Sequence, residues 1–173
     1  MQKIVEVYNL SNLEIEKHFE SNGCVGRYAF DIYTSKDAPS KIYEEDGYIK
    51  YLGENEVMYI SYVGTNKSLR LRHSLFNVNT YVGNTTIEEI IIPEYWGTII
   101  YKEAFKYCVN LKSITICECL KFIEEFAFMG CVNLTTINYN GTIEDWLAID
   151  KWDRWNELVP ATYVKCIDGI VGI

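Results

Sequence analysis

Ala104-Phe105-Lys106-Tyr107-Cys108-Val109-Asn110-Leu111 returns 23 residues later as Ala127-Phe128-Met129-Gly130-Cys131-Val132-Asn133-Leu134. A fixed period of this length marks a solenoid, in which no repeat buries its own apolar face and each leans on its neighbours. The echo extends beyond the pair: Leu111-x-x-Ile114-x-Ile116 is matched by Ile87-x-x-Ile90-x-Ile92 and by Leu134-x-x-Ile137-x-Tyr139, at spacings of 24 and 23.

Alternation at the last two apolar positions predicts a short strand with one face buried, the strand of a leucine-rich repeat. After the first two strands come Ile100, Ala104 and Phe105, then Ile123, Ala127 and Phe128, whose i, i+4, i+5 spacing predicts a single helical turn. Asn110 and Asn133 are placed to hydrogen-bond neighbouring backbone and close the bend before each strand. Pro93 cannot donate within a ladder and marks the end of its strand.

The N-terminal half is less regular. Ile4 to Tyr8 and Leu13 to Glu16 are expected as strands, and Thr34 to Asp46 as a loop with a short extended piece at Lys41-Ile42-Tyr43. Tyr48 to Leu52 and Val57 to Val63, joined by Gly53-Glu54-Asn55-Glu56, predict a β-hairpin. Leu69 to Leu71, and a stretch near Phe76 to Val82, carry the sheet toward the regular repeats. At Asn140-Gly141 the character changes. Thr142 with Asp145 is a capping-box pattern opening a helix with Ile143, Trp146, Leu147 and Ile149. Trp152, Trp155 and an extended Thr162 to Cys166 follow, which together suit a terminal cap over the apolar end of the stack.

The expected fold is therefore mainly β with short helices: a leucine-rich repeat solenoid. Its N-terminal part, residues 1–84, is irregular and β-rich with a hairpin; residues 85–139 hold regular repeats, and 140–173 form an aromatic cap. All belong to one domain, expected to be a fragment of a longer protein. A chain of 173 residues, half of them apolar, is long enough for a substantial core. Net charge is −8, which repels phosphate backbones and anionic lipid and disfavours nucleic-acid partners. No apolar run reaches the ~20 residues needed to span a bilayer.

These residues resemble the BspA-type leucine-rich repeat family of bacterial surface proteins. Ala104-Phe105, Cys108, Asn110-Leu111, Ile114 and Ile116 match its repeat, as do Ala127-Phe128, Gly130-Cys131, Asn133-Leu134 and Ile137. Asn140-Gly141-Thr142, Asp145-Trp146, Ile149, Trp155, Val164, Cys166 and Asp168-Gly169 resemble the family's terminal cap. The resemblance is weaker at Ile4 to Leu10 and Tyr62-Val63-Gly64, and Tyr107-Cys108 stands where Gly-Cys is usual. It implies an exported, bacterial, extracellular or cell-surface module engaged in adhesion or host contact. Read as complete in itself, the chain is expected to be cytoplasmic.

Nothing in the sequence points to catalysis. His18 and His73 lack motif partners, and no nucleophile elbow, phosphate loop or metalloprotease helix is present. Glu118, Glu124, Glu125, Glu144 and Asp145 read as solvated or helix-start acids. Asp150, Asp153 and Asp168 lack the spacing of a calcium loop. Cys117 and Cys119 look superficially like a metal or redox pair, but without a second pair metal binding is not expected. Cys108 and Cys131 read as inert buried thiols. No cofactor or metal is expected.

The expected function is protein or glycan recognition, on a host surface, by the exposed face of the sheet. Its residues by alternation are Glu89 and Ile91, Ser113 and Thr115, Thr136 and Asn138. A purely structural spacer or end cap is the alternative. A carbohydrate-binding module is another, which would need Tyr48, Tyr59 and Tyr62 to form a contiguous aromatic strip.

Overall fold

The computed structural model describes residues 6–8, 31–33, 42–52, 57–71, 80–94 and 98–173. Strands expected over Leu13 to Glu16 and most of Phe76 to Val82, the hairpin connection at 53–56, and both histidines lie outside them.

Five parallel strands form the spine of the solenoid. With β1 (Glu6–Tyr8), β2 (Asp31–Tyr33), β3 (Ile42–Glu45), β4 (Tyr48–Leu52) and β5 (Val57–Tyr62) preceding them, these are β6 (Ser68–Arg70), β7 (Glu89–Ile91), β9 (Ser113–Ile116), β11 (Thr136–Tyr139) and β13 (Tyr163–Cys166). Their register runs Leu69, Ile90, Ile114, Ile137, Val164, at steps of 21, 24, 23 and 27 residues. All five side chains are buried. The unequal steps show that the period is held by the strand alone, while the arch between strands absorbs insertions.

A second, narrower parallel sheet consists of β8 (Ile99–Ile100), β10 (Phe122–Ile123) and β12 (Asp150–Lys151). Ile100 and Ile123 thus belong to strands and not to the helical turn expected from their spacing. The Ala-Phe segments themselves are turns. Each arch carries two residues in the left-handed region: Glu103 and Tyr107, Phe126 and Gly130, Arg154 and Leu158. A left-handed residue every four positions breaks a right-handed helix. The amides donate instead to the next turn of the solenoid, Phe105 N–H to Ala127 O and Phe128 N–H to Trp155 O, each 2.8 Å.

The cysteine and asparagine of each repeat link turns in the opposite sense, donating back to the preceding turn, so the asparagines bridge turns where they were expected to bond neighbouring backbone. Cys108 Sγ donates to Tyr81 O at 3.0 Å and Cys131 Sγ to Phe105 O at 3.1 Å. Asn110 and Asn133 donate through Nδ2 to Thr85 O and Val109 O, at 2.6 and 2.7 Å. A small, weakly donating thiol thus satisfies a buried carbonyl where a larger polar group would not fit. The thiol of Cys131 beside it, together with burial, raises the pKa of Cys108, so Cys108 stays protonated and inert.

Residues 140–173 continue both sheets of the solenoid. The capping box forms, Thr142 Oγ1 accepting from Asp145 N–H and the Asp145 carboxylate accepting from Thr142 N–H, and opens helix α1 (Ile143–Ala148). Beyond this insertion β12 extends the narrow sheet, Arg154–Leu158 repeats the arch, and β13 extends the broad sheet in parallel. Only β14 (Gly169–Gly172) reverses, pairing antiparallel with β13.

A chain of rings runs through the core, Tyr48, Tyr62, Tyr81, Phe105, Phe128, Trp155, Trp146 and Tyr139, with successive centroids 5.0 to 6.4 Å apart. It ties the antiparallel sheet β3-β4-β5, whose β4-β5 pair is the expected hairpin, to the solenoid. The loop expected over Thr34 to Asp46 contains β3 as its extended piece.

Leu158 is 65% exposed with φ of 63°. The left-handed conformation costs a non-glycine residue about 1–2 kcal/mol, partly offset by the greater freedom glycine has when unfolded. Leu158→Gly is therefore expected to stabilise the fold by roughly 0.5–1 kcal/mol in urea denaturation.

Candidate functional site: the outward face of the broad sheet

Inward positions on the five parallel strands are buried, so their neighbours point out. One outward row comprises Ser68, Glu89, Ser113, Thr136 and, on β13, Tyr163. The other comprises Arg70, Ile91, Thr115, Asn138, Lys165 and, on β14, Ile170. All six residues expected from alternation, Glu89, Ile91, Ser113, Thr115, Thr136 and Asn138, fall in these rows, each partly or fully exposed. The sheet also brings in Ser68, Arg70, Tyr163, Lys165 and Ile170. Their own alternation is visible in the sequence, but the 27-residue step across α1 hides the register that aligns them.

The centre of the face is small and uncharged, Ser113, Thr115, Thr136 and Asn138. Its flanks carry charge and larger side chains: Arg70, Glu89 and Ser68 at one end, where Ser68 Oγ donates to Glu89 Oε2 at 2.6 Å, and Tyr163, Lys165 and Ile170 at the other. Along the rim where the strands begin, Glu88 bridges two cations, Lys67 at 2.6 Å and Lys112 at 2.5 Å. Hydrogen bonds from Lys112 and then Lys67 hold the Glu88 carboxyl down to about 2.

The sign of that shift fixes a pH dependence. A carboxyl whose folded pKa lies below its unfolded value of about 4.5 contributes stability above that value, lost as pH falls toward about 2. NMR titration is expected to place the Glu88 midpoint below the ordinary glutamate range, and Lys112→Gln to return it upward. Because the triad is exposed, added salt should weaken the effect.

Glu124, Glu125, Asp145 and Asp168 have structural partners. Glu124 Oε2 accepts from Lys102 N–H at 2.7 Å, Glu125 pairs with Lys102 Nζ at 2.8 Å, and Asp168 Oδ1 accepts from Ile143 N–H at 2.8 Å. Hydrogen bonds from Thr142 lower the pKa of Asp145. Cys117 and Cys119 are joined in a disulfide, with Cα atoms 5.3 Å apart, in the turn after β9. Among the described residues no three His, Cys, Asp or Glu side chains gather as a metal site, and no helix is long and apolar enough to cross a membrane.

The aromatic strip needed for sugar stacking is replaced by a packed cluster. Tyr62 is buried, Tyr48 meets Tyr59 and Tyr62 edge to face at 5.3 and 5.0 Å, and its hydroxyl lies 3.0 Å from that of Tyr81.

Residues 67–147, from the residue before β6 into α1, match the family model described as "BspA type Leucine rich repeat region (6 copies)". This stretch is a BspA-type leucine-rich repeat region. The arch positions of the BspA-type repeat, Ala-Phe, Cys and Asn, are those that link one turn to the next here. The crystal structure of a leucine rich cell surface protein from Faecalibacterium prausnitzii A2-165 is similar at 16% identity and a TM-score of 0.42, covering 75% of this chain and 47% of that one. The chain thus spans about half the length of that protein. No curated protein matches the chain.

Proposed function

We propose that this chain is a non-catalytic recognition module of a bacterial surface protein and that the outward face of its broad sheet contacts a protein ligand. The observation that carries the reading is the pair of register-locked rows with short side chains at the centre. Ser113, Thr115, Thr136 and Asn138 have few rotamers to lose, and their backbones are held by ladders on both sides. A partner therefore meets a preorganised surface. The Cys117–Cys119 disulfide supports an oxidising, extracellular setting.

Area sets the expected strength. Six strands about 4.8 Å apart and about 13 Å long present roughly 300 Å². A stable interface buries about 800 Å² on each partner. One copy of the face is thus suited to weak contacts that gain strength by multivalent display.

The test is Thr115→Lys, Thr136→Lys and Asn138→Lys together, with binding to immobilised extracellular-matrix proteins and to epithelial cells measured alongside the wild-type chain. Binding is expected to fall by at least about tenfold while the melting temperature stays within a few degrees. Wild-type binding by the triple variant would remove this face from the function. A spacer role is the second reading, favoured by the continuous ring stack that stiffens the rod. It predicts no ligand for the isolated chain.

A further inference from the structure

A cleft of about 690 Å³ opens where the antiparallel sheet β3-β4-β5 meets β6, at the end of the solenoid opposite β14. Its volume is that of a small-molecule site. Glu44, Asp46, Lys50, Tyr59, Asn66 and Arg70 supply its polar and aromatic lining. The wall contains an unusual feature, a lysine that is only 6% exposed. Lys50 Nζ donates to Glu45 Oε2 at 2.7 Å and lies 5.0 Å from the centre of the Tyr59 ring. An ammonium has three donors, and Glu45 occupies one. Arg70 also lines the cleft and makes no ion pair among the described residues.

We propose that this cleft binds a carboxylate-bearing saccharide, with the sugar carboxylate taken by Lys50 and Arg70 and the sugar hydroxyls donating to Asp46 and to the Asn66 side-chain oxygen. The lining holds both signs of charge, and that combination selects the ligand. Two cations, one of them largely desolvated, favour an anionic group through charge-assisted hydrogen bonds. The Asp46 carboxylate, without an ion-pair partner among the described residues, accepts from a hydroxyl, yet it repels a ligand carrying several negative charges. A single carboxylate on a polyhydroxylated ring meets both demands, whereas a run of acidic peptide side chains does not. Recognition here rests on charge and hydrogen bonding, so it does not need the flat aromatic strip that the tyrosine cluster rules out.

The experiment is an NMR titration of the whole isotopically labelled chain with N-acetylneuraminic acid, glucuronic acid, neutral maltotriose and a poly-glutamate peptide. At least one acidic sugar is expected to shift the signals of Tyr59, Asn66 and Arg70 saturably at millimolar concentration, with maltotriose and the peptide producing no such shift. Arg70→Gln and Lys50→Met are each expected to weaken that binding about tenfold. Arg70 is exposed, so its variant tests the proposal without threatening the fold; unchanged amide spectra away from the cleft confirm folding for both. The proposal is overturned if neither acidic sugar produces a saturable shift at the cleft. It is equally overturned if maltotriose or the peptide binds there as well as they do, or if Arg70→Gln retains wild-type affinity. The lysine substitutions at Thr115, Thr136 and Asn138 should leave this binding intact, so failure of the cleft and failure of the sheet face are distinguishable.

Discussion

Phe128→Ala is expected to destabilise the chain by about 3–5 kcal/mol, the range for removing a buried phenylalanine from a packed core. Phe128 is 1% exposed and sits between two rings, stacked on Phe105 at 5.3 Å and meeting Trp155 edge-on at 6.1 Å. Each such ring pair adds roughly 0.5–1.5 kcal/mol beyond burial, so the upper part of the range is favoured. For a domain of this size each kcal/mol lowers the melting temperature by about 2–4 °C, and a loss of roughly 10 °C or more is the expected reading. The neighbouring Phe126→Ala is the control. Phe126 is only partly buried and lies under Lys102, Lys106 and Arg154, so its removal costs cation–π contacts of about 1 kcal/mol. Equal losses at 126 and 128 would show that the ring stack is not the core of the solenoid.

Gly130→Ala is expected to cost about 3 kcal/mol, from two separable causes. Gly130 has φ of +74°, where an L side chain is strained by about 1–2 kcal/mol. An added Cβ would also stand 2.4 Å from Cδ1 and 2.7 Å from Cε1 of Tyr107, the residue at the same arch position one turn earlier. Overpacking of that kind costs roughly 1–3 kcal/mol. Tyr107 is 45% exposed, so its ring can be removed without opening the core. In a Tyr107→Ala background, Gly130→Ala should cost only the backbone part, and the double-mutant cycle should show about 1–2 kcal/mol of coupling. Additive losses would mean that the ring and the glycine do not compete for the same space.

This pair also explains the departure at Tyr107 from the usual Gly-Cys. The left-handed position is demanded by the arch, and Tyr107, Gly130 and Leu158 all adopt it. Glycine is required only where the preceding turn fills the space a Cβ would need. At Tyr107 the arch accepts a side chain, and its ring is what then excludes one at Gly130. The strand positions Ile90, Ile114 and Ile137, the burial of Cys108 and Cys131, the β4-β5 hairpin and the capping box at Thr142 were legible in the sequence, because each rests on local spacing or on one residue's own chemistry; the bonds that carry Cys108, Cys131, Asn110 and Asn133 to the preceding turn were not. The Ala-Phe turn and the second sheet were not. An i, i+4, i+5 pattern of Ile100, Ala104 and Phe105 is the same for a helical turn as for a strand running into a bent arch.

The candidate face divides in the same way. Alternation alone assigned Glu89, Ile91, Ser113, Thr115, Thr136 and Asn138 to it. Tyr163, Lys165 and Ile170 join only because β13 pairs with β11 across an inserted helix and β14 folds back on β13. The cleft at β6 lies beyond sequence reasoning altogether, since it depends on how the antiparallel sheet packs against the first solenoid strand. By itself the sequence determined the period, the inward strand ladder and the type of repeat, because a solenoid contacts only its near neighbours and writes its rules into each repeat. The tertiary structure decided where the solenoid continues, which outward residues share a row and where a polar cleft forms, because those depend on contacts between segments whose spacing follows no period.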